Sequence, residues 1–333
     1  MPNFLEILLK AVMFLVLALT GFAYMTWIER RVIARMQSRI GPNRVGPQGL
    51  LQPVAEGLKL IFKESITPAQ ADRFVYFLAP MLAVIPAISL FAVIPISNNA
   101  FFNLAGGLDT AVLFVLAMLG TAVYGIALAG WSSNNKYASI GGLRAAAQVI
   151  SYELALSLSL VAVVLMAGSA SMNVIIEKQL PGNILGWFII RQPVAAAIFA
   201  ITALAELARA PFDLVEAEQE LTAGYMTEYG GMKFALFFMS EYVKMVALSA
   251  LFTVFFLGGW SGPFVGDSWV LGLIYFSVKV LACLLVMVWV RATLPRFRYD
   301  KLMALGWKKL LPIALANVVL TALLIVLGVP GYK

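Results

Sequence analysis

Acidic residues are concentrated in one short stretch of this chain. ELARAPFDLVEAEQELTAGYMTEYGG, residues 206–231, contains six of the 17 acidic residues: Glu206, Asp213, Glu216, Glu218, Glu220 and Glu228. Several of them recur at helical spacing, which places their side chains on one face. Carboxylates this close together cannot all ionise without mutual repulsion, so they titrate as a coupled group. The stretch predicts a proton relay, and the alternative is an ordinary solvated loop.

Other charged residues lie inside apolar runs, where each costs about 2.5–3.5 kcal/mol at the centre of a bilayer. Glu241 and Lys244 are three residues apart, so they can neutralise each other on one helix face. Glu153 has no opposite charge within helical reach in its own run. It needs a partner from another helix, a bound proton or water, and we predict that it is functional. Lys279 falls near the middle of another run and should face the interior of the protein.

Basic residues crowd the segment WIERRVIARMQSRIGPNRVGPQG, residues 27–49. Its GPNRVGP motif indicates consecutive turns. Most of the arginines are explained by the excess of positive charge on the cytoplasmic side of membrane proteins. A basic, polar opening beside an apolar interior is also what a lipid-soluble substrate with a polar head requires.

The composition is that of an integral membrane protein. Hydrophobic residues make up 62% of the 333 residues, 12% are charged, and the mean hydropathy is +0.90, whereas soluble domains have about 25% charged residues. Without histidine and with Cys283 as the single cysteine, the chain alone cannot assemble the usual ligand sets of haem, iron–sulfur clusters or structural zinc. The net charge of +7 lies in loops between apolar runs, which gives no indication of nucleic-acid binding.

Eight apolar runs are long enough to cross a membrane, which takes about 20 residues. They cover approximately residues 4–28, 74–97, 108–130, 145–167, 187–205, 234–257, 269–290 and 310–328. Lysines and arginines near the ends of these runs divide 18 to 3 between the two sides. The positive-inside rule therefore predicts that both termini lie outside and that the acidic stretch 206–231 is cytoplasmic.

A shorter amphipathic helix is predicted over about residues 48–64. Leu51, Val54, Leu58, Ile61 and Phe62 share its apolar face, and Leu60 breaks the pattern. The segment is too charged to cross the membrane, so it should lie in the membrane interface. Because no soluble segment or internal repeat divides the chain, we predict one all-α transmembrane domain over residues 1–333.

Three segments resemble a known family. They are IERRVIARMQSRIGPNRVGPQGLLQPVAEGLKLIFKE, GWSSNNKYASIGGLRAAAQVISYELA, and AELARAPFDLVEAEQELTAGYMTEYGG followed by FALFFMSEY. In this order they are similar to the H membrane subunit of NADH-quinone oxidoreductase, the counterpart of mitochondrial complex I subunit 1. The resemblance covers essentially the whole chain.

The resemblance implies a bacterial inner-membrane subunit that forms much of a quinone tunnel, anchors the peripheral arm and couples quinone reduction to proton translocation. The quinone is ubiquinone or menaquinone, while FMN and iron–sulfur clusters belong to partner subunits, among them peripheral-arm and antiporter-like subunits. No metal site or catalytic residue is expected in this chain.

The resemblance also implies roles for individual residues. Those expected along the quinone path are Glu29, Arg30, Arg39, Gly41, Pro42, Asn43, Arg44, Arg209, Asp213 and Glu216. Those expected along the proton path are Glu153, Glu206, Asp213, Glu216, Glu218, Glu220, Glu228 and Glu241.

Two other functions remain as alternatives. A related membrane subunit of an energy-converting hydrogenase or formate hydrogenlyase has a similar bundle without a need for quinone, and the fit of the first loop to the quinone-binding members argues against it. A secondary transporter also uses carboxylates within the membrane. Its usual internal repeat and matched broken helices are not evident in this sequence.

Overall fold

The computed structural model describes residues 4–105, 107–180, 183–214, 224–263, 265, 268–329 and 331. The α-helices in this part of the chain are α1 Phe4–Met36, α2 Gln52–Phe62, α3 Arg73–Ser89, α4 Ala111–Ser132, α5 Lys136–Ala167, α6 Met172–Glu177, α7 Phe188–Arg191, α8 Pro193–Glu206, α9 Gly231–Phe256, α10 Trp269–Thr293, α11 Tyr299–Leu305 and α12 Leu311–Val326. The described residues contain no strand. The predicted all-α class is confirmed.

Within the described residues, seven helical segments are long and apolar enough to cross a membrane. They are α1, α3 with the turn that follows it, α4, α5, α9, α10, and the continuous run from α11 through a π-helical turn into α12. The apolar helix α8 is shorter, at 14 residues. Each predicted span therefore coincides with apolar helix, and the chain is a multi-pass membrane protein.

The fifth predicted span, 187–205, is not one continuous helix. It is divided between α7 and α8 at Gln192, whose backbone has φ −128° and ψ 56°. The residue before a proline is sterically driven out of the helical region, and Pro193 follows directly. The Gln192 side chain is buried, donating to Thr321 Oγ1 at 2.8 Å and accepting from Asn317 Nδ2 at 3.2 Å. Both partners lie on α12, so hydrogen bonds between helices accompany the break.

Several helices extend beyond the apolar runs that predict them. Helix α1 continues to Met36 and α5 begins at Lys136, because polar and charged residues can continue a helix outside the hydrocarbon layer. Asn135 caps α5 by accepting a hydrogen bond from the Tyr137 amide at 2.9 Å. At the other end Gly168 has φ 72°, the left-handed conformation with which many helices end.

Helices α5 and α9 form the centre of the bundle. Of their most apolar 18-residue windows, 56% and 67% are buried, against 17% for α1 and 28% for α10. Helix α5 packs on α4, α8 and α12, while α9 packs on α3, α1 and α10. Glu153 belongs to α5 and Glu241 to α9, so both carboxylates are positioned by the central helices.

Lys279 of α10 binds the chain just beyond the C-terminal end of α9. Its Nζ lies 4.3 Å from the centre of the Trp187 ring. It donates to three main-chain carbonyl oxygens, those of Leu257 at 2.6 Å, Gly259 at 3.0 Å and Ser261 at 2.5 Å. A cation at a helix C-terminus is stabilised by the helix dipole and by these oxygens. Lys279 thus faces the interior, as its place in an apolar run predicts.

The predicted topology can be tested at two exposed positions, Lys136 and Lys178. In a Cys283→Ala background, Lys178→Cys should react with a membrane-impermeant thiol reagent added outside. Lys136→Cys should react only after the membrane has been permeabilised so that the reagent reaches the cytoplasmic side. The expectation follows from the uneven distribution of basic residues. Labelling in the opposite pattern would reverse the assignment of every loop, including the acidic stretch.

Candidate functional site

A buried arginine joins carboxylates from two helices. Arg209 lies in the loop after α8 and is 4% exposed. Its Nη1 donates to Glu29 Oε2 of α1 at 2.7 Å, and its Nε donates to Glu241 Oε1 of α9 at 2.7 Å. A guanidinium presents its donors in a planar fork and can therefore hold two carboxylates at once. Arg209 connects the beginning of the acidic stretch to α1 and α9.

Two further side chains complete this group. Arg291 of α10 donates to the other oxygen of Glu29. The Tyr242 ring lies against the Arg209 guanidinium, with 4.1 Å between the ring centre and Cζ. Two acids and two arginines carry no net formal charge, which limits the desolvation penalty of the buried Glu29 and Arg209, while the Arg291 side chain is 39% exposed. We call Glu29, Arg209, Glu241 and Arg291 the four-charge cluster.

Electrostatics keep Arg209 charged at this buried position. Burial alone disfavours the charged guanidinium, but the carboxylates of Glu241 and Glu29 outweigh burial and raise the pKa of Arg209 above its ordinary value. The arginine is therefore a fixed positive charge, and proton exchange in the cluster is left to its carboxyl groups.

A second charged group lies beside the first. Glu206, at the end of α8, and Lys244 of α9 have side chains that are 1% and 5% exposed, and 4.0 Å separates Lys244 Nζ from Glu206 Oε1. Neither carboxyl oxygen of Glu206 has a hydrogen-bond partner among the described residues. Glu153 of α5 interacts electrostatically with both Glu206 and Lys244. We call Glu153, Glu206 and Lys244 the acid–lysine triad.

Gly120 of α4 provides the space for the Glu153 carboxyl group. A Cβ atom at position 120 would lie 2.8 Å from Glu153 Oε1, closer than real Cβ contacts. The carboxyl of Glu153 therefore rests against the backbone of α4, and its position depends on the absence of a side chain there.

A small cavity separates the four-charge cluster from the acid–lysine triad. Its volume is about 30 Å³, and its lining includes Glu206, Glu241, Lys244, Ser240 and Tyr225. Carboxylates of the two groups thus face the same internal space. The arrangement brings together residues of α8 and α9 that are far apart in sequence.

A much larger cavity of about 700 Å³ lies between α1, α2 and the N-terminal part of α9. Its apolar lining includes Phe22, Ala235, Phe238 and Met239. Its polar lining includes Thr26 and Arg30 of α1 and Glu56 of α2. The cavity therefore combines an apolar interior with a charged region, as a site for an amphipathic molecule requires.

Helix α2 forms one wall of this cavity. The five residues of its predicted apolar face are more than half exposed, at 51–84%. Leu60, which breaks that pattern, lines the cavity, together with Ile61 from the edge of the apolar face. On the cavity side Arg30 donates to Glu56, and Gln52 donates to the same Glu56 oxygen at 3.1 Å. The helix thus has an outer apolar face and an inner face that combines Leu60 with an ion pair.

The loop between α1 and α2 closes against the end of α1. Trp27 Nε1 and Arg31 Nη1 both donate to the Gln48 carbonyl, at 3.2 and 3.0 Å. Gly49 has φ +77°, and a Cβ there would lie 2.3 Å from the Pro42 carbonyl oxygen, so the loop requires glycine. The residues that resemblance assigns to the quinone path in this loop, Arg39, Gly41, Pro42, Asn43 and Arg44, lie outside the lining of the large cavity. Arg39 is exposed and donates to Gln37 at 2.7 Å.

Within the acidic stretch 206–231, the structure describes residues 206–214 and 224–231. Asp213 is half-buried, near the chain's turn at Phe212. Glu228 accepts a hydrogen bond from Asn135 Nδ2 at 2.6 Å, and the adjacent Tyr229 stacks on Tyr76 with 4.2 Å between ring centres. Burial raises the pKa of Tyr229 to about 12, so its hydroxyl stays protonated. The predicted site residues Glu216, Glu218 and Glu220 lie outside the described residues.

Sequence reasoning missed the roles of Arg291 and Lys244. Glu241 pairs with Arg209, and Lys244 lies near Glu206, so the suggested pairing of Glu241 with Lys244 on one helix face is not the arrangement found. Arg291 follows the seventh apolar run and reads as a membrane anchor, yet it binds Glu29 of the first helix. The sequence signal that could have indicated this pairing is that Glu29 is an acidic residue in a segment rich in arginine. Such pairings between distant helices depend on the fold.

Among the described residues, no group of three or more cysteine, aspartate or glutamate side chains is placed to hold a metal ion. The buried carboxylates of the two charged groups lie beside arginine and lysine side chains instead. Such side chains can exchange protons and compensate one another's charge.

Fold and site together define a polytopic helical membrane protein with buried carboxylates and a large amphipathic cavity. The sequence model of the NADH dehydrogenase family matches residues 9–322. The chain belongs to this family, and specifically to the H subunits of NADH-quinone oxidoreductase within it, as its relatives show.

Three of these relatives illustrate the similarity. The H subunit of NADH-quinone oxidoreductase from Protochlamydia amoebophila is 50% identical over 309 residues, 91% of this chain and 92% of the relative. The Thermomicrobium roseum protein of the same name is 50% identical over 319 residues, covering 92% of each chain. An H subunit from Geobacter metallireducens, the second of that name, is 44% identical over 342 aligned positions, 98% of this chain and 97% of the relative.

Proposed function

We propose that the chain is the membrane subunit of a proton-pumping NADH:quinone oxidoreductase, in which it forms much of the quinone tunnel and couples quinone reduction to proton translocation. The near full-length similarity to the H subunits supports its place as a subunit of that oxidoreductase. Electrons reach the quinone from NADH through FMN and iron–sulfur clusters in partner subunits. This chain then contributes the membrane part of the quinone site and anchors the peripheral arm in a bacterial inner membrane.

The large cavity is the observation that carries the proposal. Phe22, Thr26 and Arg30 line it at intervals of four residues along α1, so its wall changes from apolar to charged over about 12 Å, at about 1.5 Å per residue. A quinone has an apolar tail and a polar head, and this gradient suits both parts. The exposed apolar face of α2 beside the cavity supports access from the lipid, from which a quinone would arrive.

The buried carboxylates then supply the coupling path. Reduction of a quinone takes two electrons and two protons, and the accompanying change of charge alters the protonation of nearby acids. Glu241 of the four-charge cluster and Glu206 of the acid–lysine triad line the small cavity, and Glu29 shares Arg209 with Glu241. The path continues in our proposal through Asp213, Glu216, Glu218, Glu220 and Glu228 of the acidic stretch. Arg39 and residues 41–44 belong to the tunnel mouth that the partner subunits complete.

A cavity-filling substitution tests the quinone assignment. Ala235→Phe adds a ring inside the large cavity, and we expect it to lower kcat/KM for a short-chain quinone by about tenfold or more, because small displacements of a bound substrate have large effects on rate. Oxidation of NADH by a hydrophilic artificial acceptor should remain normal. The matched control is Ala282→Phe, which places the same ring on the exposed face of α10.

The measurements are made on the purified complex and normalised to assembled protein. Equal quinone kinetics in the two variants would remove the cavity from the quinone path. A complex that contains a nickel–iron subunit in place of an NADH-oxidising subunit would support the hydrogenase alternative instead.

A further inference from the structure

Lys244 is a cation whose charge acts on two carboxyl groups, those of the buried Glu206 and the half-buried Glu153. Within the part of the chain that the structure describes, the arginines near the site are bound to Glu29 and Glu241. Glu153 and Glu206 both interact electrostatically with the positive charge of Lys244. One ammonium balances one carboxylate, and an additional buried charge without compensation is costly. The acid–lysine triad is therefore electrically balanced when Glu153 and Glu206 together retain one proton.

The gap between Lys244 and Glu206 has the dimensions of a water-mediated contact. Their N–O separation of 4.0 Å is too long for a direct hydrogen bond, which takes about 2.7–3.2 Å. The adjoining cavity of about 30 Å³ exceeds the roughly 10–15 Å³ that one water needs. Polar groups of Glu206, Glu241, Lys244 and Ser240 line it, which gives a water the two to four partners that it needs.

Each element around the cavity contributes identifiable groups. Helix α8 contributes Glu206, and α9 contributes Ser240, Glu241 and Lys244. The Ser240 hydroxyl donates to the Phe237 carbonyl at 2.7 Å, which leaves its oxygen available as an acceptor. The turn before α9 adds Tyr225 and α4 adds the uncharged Ile126, while Glu153 acts from α5. The ammonium of Lys244 is the cation that faces this space directly.

We propose that Lys244 is a positioning residue for proton transfer, which acts through a water in the small cavity to keep one carboxylate of the Glu153–Glu206 pair ionised and ready to accept a proton from Glu241. The proposal rests on the proton path of the proposed function. In the transfer, Glu241, which has first taken up a proton during quinone turnover, gives a proton to the water while the water gives one to Glu206. Glu241 ends ionised, Glu206 ends neutral, the water is regenerated, and Lys244 keeps all of its protons.

Substitutions at Lys244 in the complete complex test this role. Lys244→Met removes the charge and keeps an unbranched side chain, and we expect NADH:quinone kcat to fall by at least about tenfold. This is less than the roughly 10²–10⁴-fold contributed by a group that transfers the proton itself, because Lys244 acts through Glu206. The KM for quinone should stay unchanged, because Lys244 lies outside the lining of the large cavity. Lys244→Arg keeps the charge and should retain most of the turnover.

The matched control is Lys233→Met on the same helix. Lys233 is also buried, but it donates to Thr67 Oγ1 at 2.7 Å and lies over the rings of Tyr76 and Phe77. Its loss should change the thermal stability of the complex and leave kcat per assembled complex near that of the wild type. A fall in kcat shared equally by both methionine variants would indicate a general effect of removing buried lysines and would overturn the proposal.

A double-mutant cycle with Glu206→Gln separates positioning from packing. If Lys244 acts by controlling the charge of Glu206, then Lys244→Met combined with Glu206→Gln should be no slower than Glu206→Gln alone. Multiplying effects would overturn the proposal, and so would wild-type kcat in Lys244→Met. If Lys244→Met does not assemble, the double variant, which lacks the uncompensated acid, supplies the comparison.

The same experiment distinguishes this inference from the proposed function. A wild-type complex that contains this chain but shows no NADH-driven quinone reduction would contradict the proposed function itself. Normal wild-type turnover and proton pumping, with an unaffected Lys244→Met variant, would leave the proposed function in place and remove only the role of Lys244.

Discussion

Replacement of Arg209 by methionine is expected to prevent most of the complex from assembling in active form. The substitution leaves the buried Glu29 and the partly buried Glu241 with only Arg291 to compensate them. Breaking a buried ion pair by removing one partner costs about 3–5 kcal/mol, a large part of the stability of a typical protein. The measurements are the amount of assembled complex on native gels, its thermal stability and its NADH:quinone turnover.

Arg298→Met is the matched control for this experiment. Arg298 also pairs with a carboxylate, Asp300, at 3.1 Å, but its side chain is 82% exposed. Exposed pairs contribute about 0–1 kcal/mol, so assembly of this variant should be close to normal. Adding Glu241→Gln to Arg209→Met restores the balance of acids and bases and should recover part of the lost stability. Equal behaviour of Arg209→Met and Arg298→Met would show that the four-charge cluster does not stabilise the protein.

Glu153→Gln is expected to assemble normally and to lose most of its quinone turnover and proton pumping. The amide preserves the size of the side chain but has no exchangeable acidic proton. Loss of a proton-transfer group typically lowers rates by about 10²–10⁴-fold. Glu153→Asp retains the acid with a shorter reach and should be milder. Turnover and pumping are measured in membrane vesicles and normalised to assembled complex.

Gly120→Ala tests the position of the Glu153 carboxyl group without changing Glu153 itself. The added methyl would meet Glu153 Oε1, the flexible end of a side chain, so it should displace the carboxyl and leave the fold intact. We expect reduced turnover in normally assembled complex. Wild-type turnover and pumping in both Gly120→Ala and Glu153→Gln would show that Glu153 is structural, and the path would then be restricted to residues 206–228.

The helical architecture follows from hydropathy because long apolar runs must satisfy their backbone hydrogen bonds internally. That requirement is local, so each predicted span coincides with helix and the outer face of α2 has the predicted residues. The sequence analysis did not predict the break at Gln192, although Pro193 marks it. The surrounding run is apolar throughout, and hydropathy alone therefore predicts one continuous helix. Leu60 does not fit the amphipathic pattern of α2, and the structure explains this because Leu60 lines the cavity behind the helix.

The site was only partly predictable for a different reason. A carboxylate in an apolar run signals that it needs compensation, and this identified Glu153 and Glu241. Which cation supplies it depends on packing between distant helices. Arg291 reaches Glu29 across 262 positions of sequence, and no local periodicity encodes such a contact. The acids were therefore predictable as a set, while their pairing was not.

The carbonyl cage around Lys279 has a consequence for how the protein is made. A lysine near the centre of an apolar segment raises the cost of its insertion into a bilayer by about 2.5–3.5 kcal/mol. The oxygens that receive Lys279 belong to Leu257, Gly259 and Ser261, and the ring beside it belongs to Trp187, all synthesised before α10. When the ribosome releases α10, the acceptors for its lysine are already present at the end of α9. We therefore expect α9 and α10 to enter the membrane as one helical hairpin, with the cage closing during translation.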